Sequence, residues 1–311
     1  MKKILVTGGA GYIGSILVPE LLNEGYEVTI FDNFVYSQAS LNHCSSNNKF
    51  SVEKGDIRDI SRITPLYKWA DFVIPLAALV GAPLCKFDPV GSSTINKEAI
   101  FSMLEILSEN QVVIMPTTNS AYGNAGGEGF CDEDSKLNPV SKYAKDKVDV
   151  EKKLMEHKSS ISFRLATVFG MSPRMRIDLL VNDFTYRAHV DRFIVLFESH
   201  FKRNYVHVRD VARAFIFAIK NHSKMNNEIY NLGLSDTNIS KLELCQRIKK
   251  FIPDFRILES QVGKDPDQRD YIVSNKKVEE LGFKTKYSLD HGIQELIKGY
   301  KMLNNKKYGN I

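Results

Sequence analysis

The stretch Lys3-Ile4-Leu5-Val6-Thr7-Gly8-Gly9-Ala10-Gly11-Tyr12-Ile13-Gly14 decides the fold. A short apolar run enters a cluster of glycines, and an amphipathic stretch from Tyr12 to Asn23 leaves it, which reads as strand, tight turn and helix. The glycines form G-x-x-G-x-x-G (Gly8, Gly11, Gly14) and, offset, G-x-G-x-x-G (Gly9, Gly11, Gly14). In that context they permit the turn, let the backbone approach a diphosphate, and leave the diphosphate at a helix N-terminus. Asp32 closes the next apolar run, 18 residues after Gly14. An acid at that distance accepts hydrogen bonds from an adenosine ribose. No arginine precedes Arg58, so nothing nearby in sequence offers a guanidinium to a 2′-phosphate, and the pattern favours NAD over NADP.

Working outward, YEVTIFD, FSVEKGD, DFVIPLA and VVIMPT alternate with helical stretches, one of them Thr94 to Ser108, and Gly25 stands at the expected end of the first helix. This is the βαβ pattern of an α/β, doubly wound parallel Rossmann sheet. Tyr143 to His157 reads as a polar helix, SISFRLATVFG as one strand, VHVRDVARAFIFAIKN as a strand end feeding a helix, and FRILES as a short strand near the end. The strict alternation breaks after Gly170. The expected division is therefore a Rossmann domain over 1–172 and a smaller C-terminal α/β substrate domain over 173–311, with 204–232 returning to the first.

Composition narrows the function. The 311 residues are 43% hydrophobic and 25% charged, the range of ordinary globular chains, which leaves no case for a disordered or collagen-like protein. The charge-free stretch Phe72 to Cys85 has 14 residues and two prolines, short of the ~20 apolar residues a spanning helix needs. The N-terminus has too short an apolar run for a secretory signal, so a cytoplasmic setting is expected. Cys44, Cys85, Cys131 and Cys245 form no C-x-x-C pair, and no metal site is expected. A net charge of +5, from 42 Lys and Arg against 37 Asp and Glu, is spread without a basic stripe. That argues against nucleic acid and suits a small phosphorylated ligand.

The same residues, with GDIRD (Gly55 to Asp59), LAAL (Leu76 to Leu79), Asn96, TTNSAYG (Thr117 to Gly123) and the pair Tyr143-x-x-x-Lys147, resemble the extended short-chain dehydrogenase/reductase family, and within it the nucleotide-sugar epimerases and dehydratases. RNYVHVRDVARA, YNLG and DQRDYIVSNKKVEELGF extend the resemblance over nearly the whole chain. It implies NAD as cofactor, with Gly8, Gly11, Tyr12, Ile13, Gly14, Asp32 and Asn33 at its adenosine and diphosphate. Asp56 and Ile57 would border the adenine, and Leu76, Ala77, Ala78, Leu79 and Asn96 would line the cleft.

By the same resemblance Tyr143 is a general base, Lys147 its partner, and Thr118, rather than Thr117, the hydroxyl that orients the substrate. An i, i+4 spacing puts Tyr143 and Lys147 on one helix face. A tyrosine acting as a base at neutral pH needs its pKa lowered by about 3 units, and Lys147 with an oxidised nicotinamide are charges of the right sign. Asn119, Arg174, Asn182, Arg203 and Arg269 are expected at a nucleotide-diphosphate sugar, the last two at its diphosphate, and Arg176 joins the candidates for sugar or phosphate.

Dehydratases of the family carry an Asp-Glu pair directly after the threonine; here Asn119 and Ser120 stand there, which disfavours water loss. What remains is hydride chemistry at C4, as a dehydrogenase or a 4-epimerase. LAALVGAPLCK and FGMSPRMRIDLLVNDFTYRA look most like GDP-heptose 4-dehydrogenases of bacterial surface-polysaccharide (capsule) pathways. The family resemblance further implies a homodimer, paired through the helices Thr94 to Ser108 and Tyr143 to His157. His207, between two strand valines, reads as a packed histidine.

Overall fold

A computed structural model describes residues 1–37, 39–124, 129–260 and 269–303. Its strands in chain order are β1 (Lys3–Thr7), β2 (Glu27–Asp32), β3 (Phe50–Lys54), β4 (Phe72–Pro75), β5 (Val112–Thr118), β6 (Ser160–Leu165), β7 (Thr167–Phe169), β8 (Phe193–Phe197), β9 (Lys202–His207), β10 (Glu228–Leu232), β11 (Asn238–Ser240) and β12 (Arg256–Ser260). The helices are α1 (Gly14–Asn23), α2 (Ile60–Trp69), α3 (Ala82–Phe87), α4 (Pro89–Ser93), α5 (Ala99–Ile106), α6 (Lys142–Leu154), α7 (Leu180–Val190), α8 (Val208–Met225), α9 (Lys241–Phe251), α10 (Lys276–Glu280) and α11 (Leu289–Tyr300).

Seven strands form one parallel sheet in the order β10-β6-β5-β4-β1-β2-β3. Both of its faces are covered, which is why its central strands are continuous apolar runs rather than alternating ones. Successive side chains of β1 still divide between two cores. Ile4 and Val6 join α1 and α8 on one face, while Leu5 joins α2, α5 and α6 on the other. Strand order runs outward in one direction from β1 through β2, and in the other through β4. The carboxyl ends of β1 and β4 therefore diverge, and the crevice between them is where open α/β sheets bind ligands.

The smaller half holds a three-stranded sheet, β11-β9-β7, and a parallel pair, β12 with β8, packed with α7, α9 and α11. Here the sequence reading needs a correction: SISFRLATVFG is two strands. The amide of Ala166 donates to Leu232 O, ending the pairing of β6 with β10, and the next three residues pair with β9 instead. The run stays apolar through the corner because both sheets bury it, so hydrophobic pattern alone does not reveal the bend. The helix expected from Thr94 likewise opens with a π-helical turn, Thr94–Glu98, before α5. Among the described residues no helix is long and apolar enough to cross a membrane.

Candidate active site

The turn after β1 requires glycine for steric reasons. Gly8 has φ of +68°, and a Cβ there would stand 2.5 Å from the amide nitrogen of Ala77 at the end of β4. A Cβ on Gly14 would come within 2.3 Å of Gly9 O. No side chain caps the N-terminus of α1 and its first turn carries no acid, so its positive end is left to an anion. At the end of β2, Asp32 accepts hydrogen bonds from the amides of Ala10 (2.9 Å) and Phe34 (2.8 Å), which fix the carboxylate at the lip of the crevice. Each oxygen keeps a second lone pair for a ribose hydroxyl.

A hollow beside this lip is lined by Gly8, Gly11, Asp32 and Asn33, with Asp56 and Ile57 on its far side and Leu76, Ala77 and Ala78 along its floor. Arg58 chelates Asp56 through Nε (2.9 Å) and Nη2 (2.5 Å), which holds the Asp56 carboxyl below the usual carboxylate range. The hollow runs into a larger cleft of about 470 Å³. Tyr12, Ile13, Gly14, Thr118, Tyr143 and Lys147 all line this cleft.

Ser141 caps α6, its hydroxyl accepting from the Ala144 amide (3.2 Å), and so sets Tyr143 in the first turn and Lys147 one turn on. Lys147 is buried and donates to Pro116 O at 3.4 Å. Burial pushes its ammonium down to about 8. In the protein by itself, burial of Tyr143 works against the lowering a base requires. Burial pushes the Tyr143 hydroxyl up to about 12, and the guanidinium charges of Arg176 and Arg269 oppose this only in part. The cause is loss of water around a phenolate.

Thr118 Oγ1 donates to Ser120 Oγ (3.0 Å) and accepts from the Ser120 amide (3.1 Å), and Arg269 donates to the same Ser120 hydroxyl. Arg269 thus lines the cleft beside Thr118. Thr117 also reaches the cleft, but its hydroxyl is held by Glu151 Oε2 at 2.8 Å.

Three expected ligand contacts lie elsewhere. Asn96 is buried, with Oδ1 accepting from the Leu79 amide and Nδ2 donating to Leu79 O, both at 2.8 Å, so it shapes the loop after β4 without lining the cleft. Asn182 is buried too; it accepts from the Gly170 amide (3.0 Å) and donates to Arg176 O (2.8 Å) and the Tyr12 hydroxyl (3.3 Å). Asn119 is fully buried outside the cleft lining, its amide without a partner. The Asn96 and Asn182 amides bind backbone that sequence spacing does not show.

Arg174, Arg176 and Arg203 do line the cleft. Sequence reasoning missed Lys241, whose ammonium donates to Phe197 O, and Tyr36, which lies under the Arg174 guanidinium. The strand β11 that precedes Lys241 was not read from the sequence, so no local signal pointed to it. Asp178, paired with Arg176 at 2.5 Å, and Asp183 are the acids of this wall. His207 lies outside the lining, stacked on Tyr287 and bonded to Glu295 at 2.8 Å.

Residues 4–233 match the model of the NAD dependent epimerase/dehydratase family. The chain belongs to that family. A putative UDP-glucose 4-epimerase of Methanocaldococcus jannaschii is 26% identical, covering 96% of this chain and 98% of the relative. UDP-glucuronic acid decarboxylase 1 of Arabidopsis thaliana is 25% identical over 96% of this chain and 70% of its own length. The structure of the Thermotoga maritima UDP-glucose 4-epimerase with UDP-glucose is 26% identical, with a TM-score of 0.83 over 96% of this chain and 99% of that one. The Bacillus cereus UDP-glucuronic acid 4-epimerase, solved with UDP-glucuronic acid and NAD, shares the fold at a TM-score of 0.86, 23% identity and the same coverage. Membership makes the chain an NAD-dependent enzyme of nucleotide-sugar chemistry, and the cradle of Gly8 and Gly14, which a Cβ would fill, fits that cofactor.

Proposed function

We propose that this enzyme oxidises a nucleotide-diphosphate sugar at C4 to the 4-keto sugar. The observation that carries the reading is the convergence of Thr118, Tyr143 and Lys147 with the glycine turn on one cleft. Thr118 orients the C4 hydroxyl and Tyr143 takes its proton. Lys147, Arg176 and Arg269 stabilise the resulting phenolate, which burial alone would disfavour. NAD, when bound, supplies the hydride acceptor and a positive ring charge. Arg203 and Lys241 line the same cleft, and the excess of cations over Asp178 and Asp183 suits a diphosphate.

Asn119 and Ser120 hold no ionisable group at the position where dehydratases keep an acid pair, which supports oxidation without water loss. GDP-heptose is the first substrate to offer, on the likeness of Leu76 to Lys86 and Phe169 to Ala188; a bacterial cytoplasmic role in surface polysaccharide and a homodimer paired through α5 and α6 belong to the same reading. A 4-epimerase is the second reading, favoured by the Methanocaldococcus and Thermotoga relatives.

A panel of nucleotide sugars, with products weighed, tests both. Loss of two hydrogens with cofactor reduced in proportion to enzyme is the expected outcome. Unchanged mass with inverted C4 selects the epimerase, and loss of water or carbon dioxide overturns C4 oxidation as the whole reaction.

A further inference from the structure

The adenosine hollow and the catalytic cleft share a waist. Gly8, Gly11, Leu76 and Ala78 form its floor, and Tyr36 and Arg174 belong to both linings. A dinucleotide reaching from Asp32 to Tyr143 passes this waist with its diphosphate, between the open N-terminus of α1 and Arg174. The Arg174 guanidinium lies 3.8 Å from the centre of the Tyr36 ring, well inside the ~6 Å reach of a cation–π contact.

The two residues are mounted differently. Arg174 is buried, and its segment is sewn to the glycine turn: Tyr12 Oη donates to Gly170 O (2.7 Å), Ser172 Oγ to Tyr12 O (2.7 Å), and the Arg174 amide to Ser15 Oγ (3.3 Å). Its position relative to the diphosphate site is therefore fixed. Tyr36 is 37% exposed, on a loop that enters through Phe34 and leaves through Ser37, with φ of 54° and 50°. Left-handed backbone at a bulky residue is costly, and such residues gather at ligand clamps. One jaw is rigid and the other sits on a loop that stores strain.

We propose that Arg174 and Tyr36 form a clasp over the diphosphate of NAD that keeps the nucleotide bound from one turnover to the next. The assignment moves Arg174 from the sugar, where its sequence neighbourhood suggested it, to the cofactor.

The test reads cofactor release with no sugar present, so it stands apart from the C4 chemistry. The NAD-loaded protein is reduced in place, diluted into nucleotide-free buffer, and the fluorescence of bound NADH is followed. The expected result is slow release from the parent and from Tyr36→Phe, which keeps the ring, and release faster by about tenfold or more from Tyr36→Ala and Arg174→Met, the change that about 1.4 kcal/mol produces. Tyr36 is exposed, so its variants report even where Arg174→Met fails to fold. Release from Tyr36→Ala within about twofold of the parent overturns the clasp. So does a parent that empties as fast as that variant.

Discussion

A phenol that burial holds near a pKa of about 12 is an acid in search of a charge, and Tyr143 is surrounded by groups that can supply it. Tyr143→Phe should lower turnover by about 10² to 10⁴, the usual worth of a positioned proton acceptor, with urea unfolding unchanged. Turnover within about twofold of the parent would place the base elsewhere. Residues such as Gly8 and Asp32 were legible in sequence because their geometry is local: a turn, a strand end, a fixed spacing. Arg174 was legible only as a cation. It meets Tyr36 across 138 residues of chain, a contact that no local spacing reveals. Spacing on a helix reveals the charge of Lys147 beside Tyr143 but not the loss of water that opposes it.

At the scale of elements, α6 is held on the sheet by a buried ion pair one turn beyond Lys147. Glu151 meets Arg164 of β6 at 2.7 Å and accepts from Thr117 of β5 and Ser162 of β6, each at 2.8 Å. Arg164 continues to the Tyr122 hydroxyl at 3.1 Å. Removing one partner of such a pair leaves a buried charge unmatched and costs about 3 to 5 kcal/mol. Glu151→Gln should therefore lower the free energy of unfolding by an amount of that order, measured by urea titration, and a change under about 1 kcal/mol would show the pair to be dispensable. The parallel strands and the helices between them were readable from apolar runs and glycines. The corner between β6 and β7 was not, since the hydrogen bond that makes it joins Ala166 to Leu232, far off in sequence.

Across the whole molecule, Glu295 of α11 joins the two halves. Burial pushes its carboxyl up, but the hydrogen bond from His207, the Met171 amide at 3.0 Å and the charges of His207 and Arg209 outweigh this and hold it at about 2. A folded-state value below the ordinary 4.5 means stability that is present above pH about 4.5 and lost as pH falls through 2, worth on the order of 3 kcal/mol. Glu295→Gln should flatten the stability profile between about pH 5 and 2; an unchanged slope would remove Glu295 from the acid transition. The return of β10 to the edge of the large sheet, with α8 laid beside α1, has a consequence for how such a chain can change over evolution. A recombination joined at residue 172 would strip β6 of its neighbour and leave a bare strand edge open to other chains. The smaller half is drawn from two stretches of chain, one on each side of α8 and β10, so new preferences can accumulate in either stretch while the strand between them stays under the constraint of the sheet.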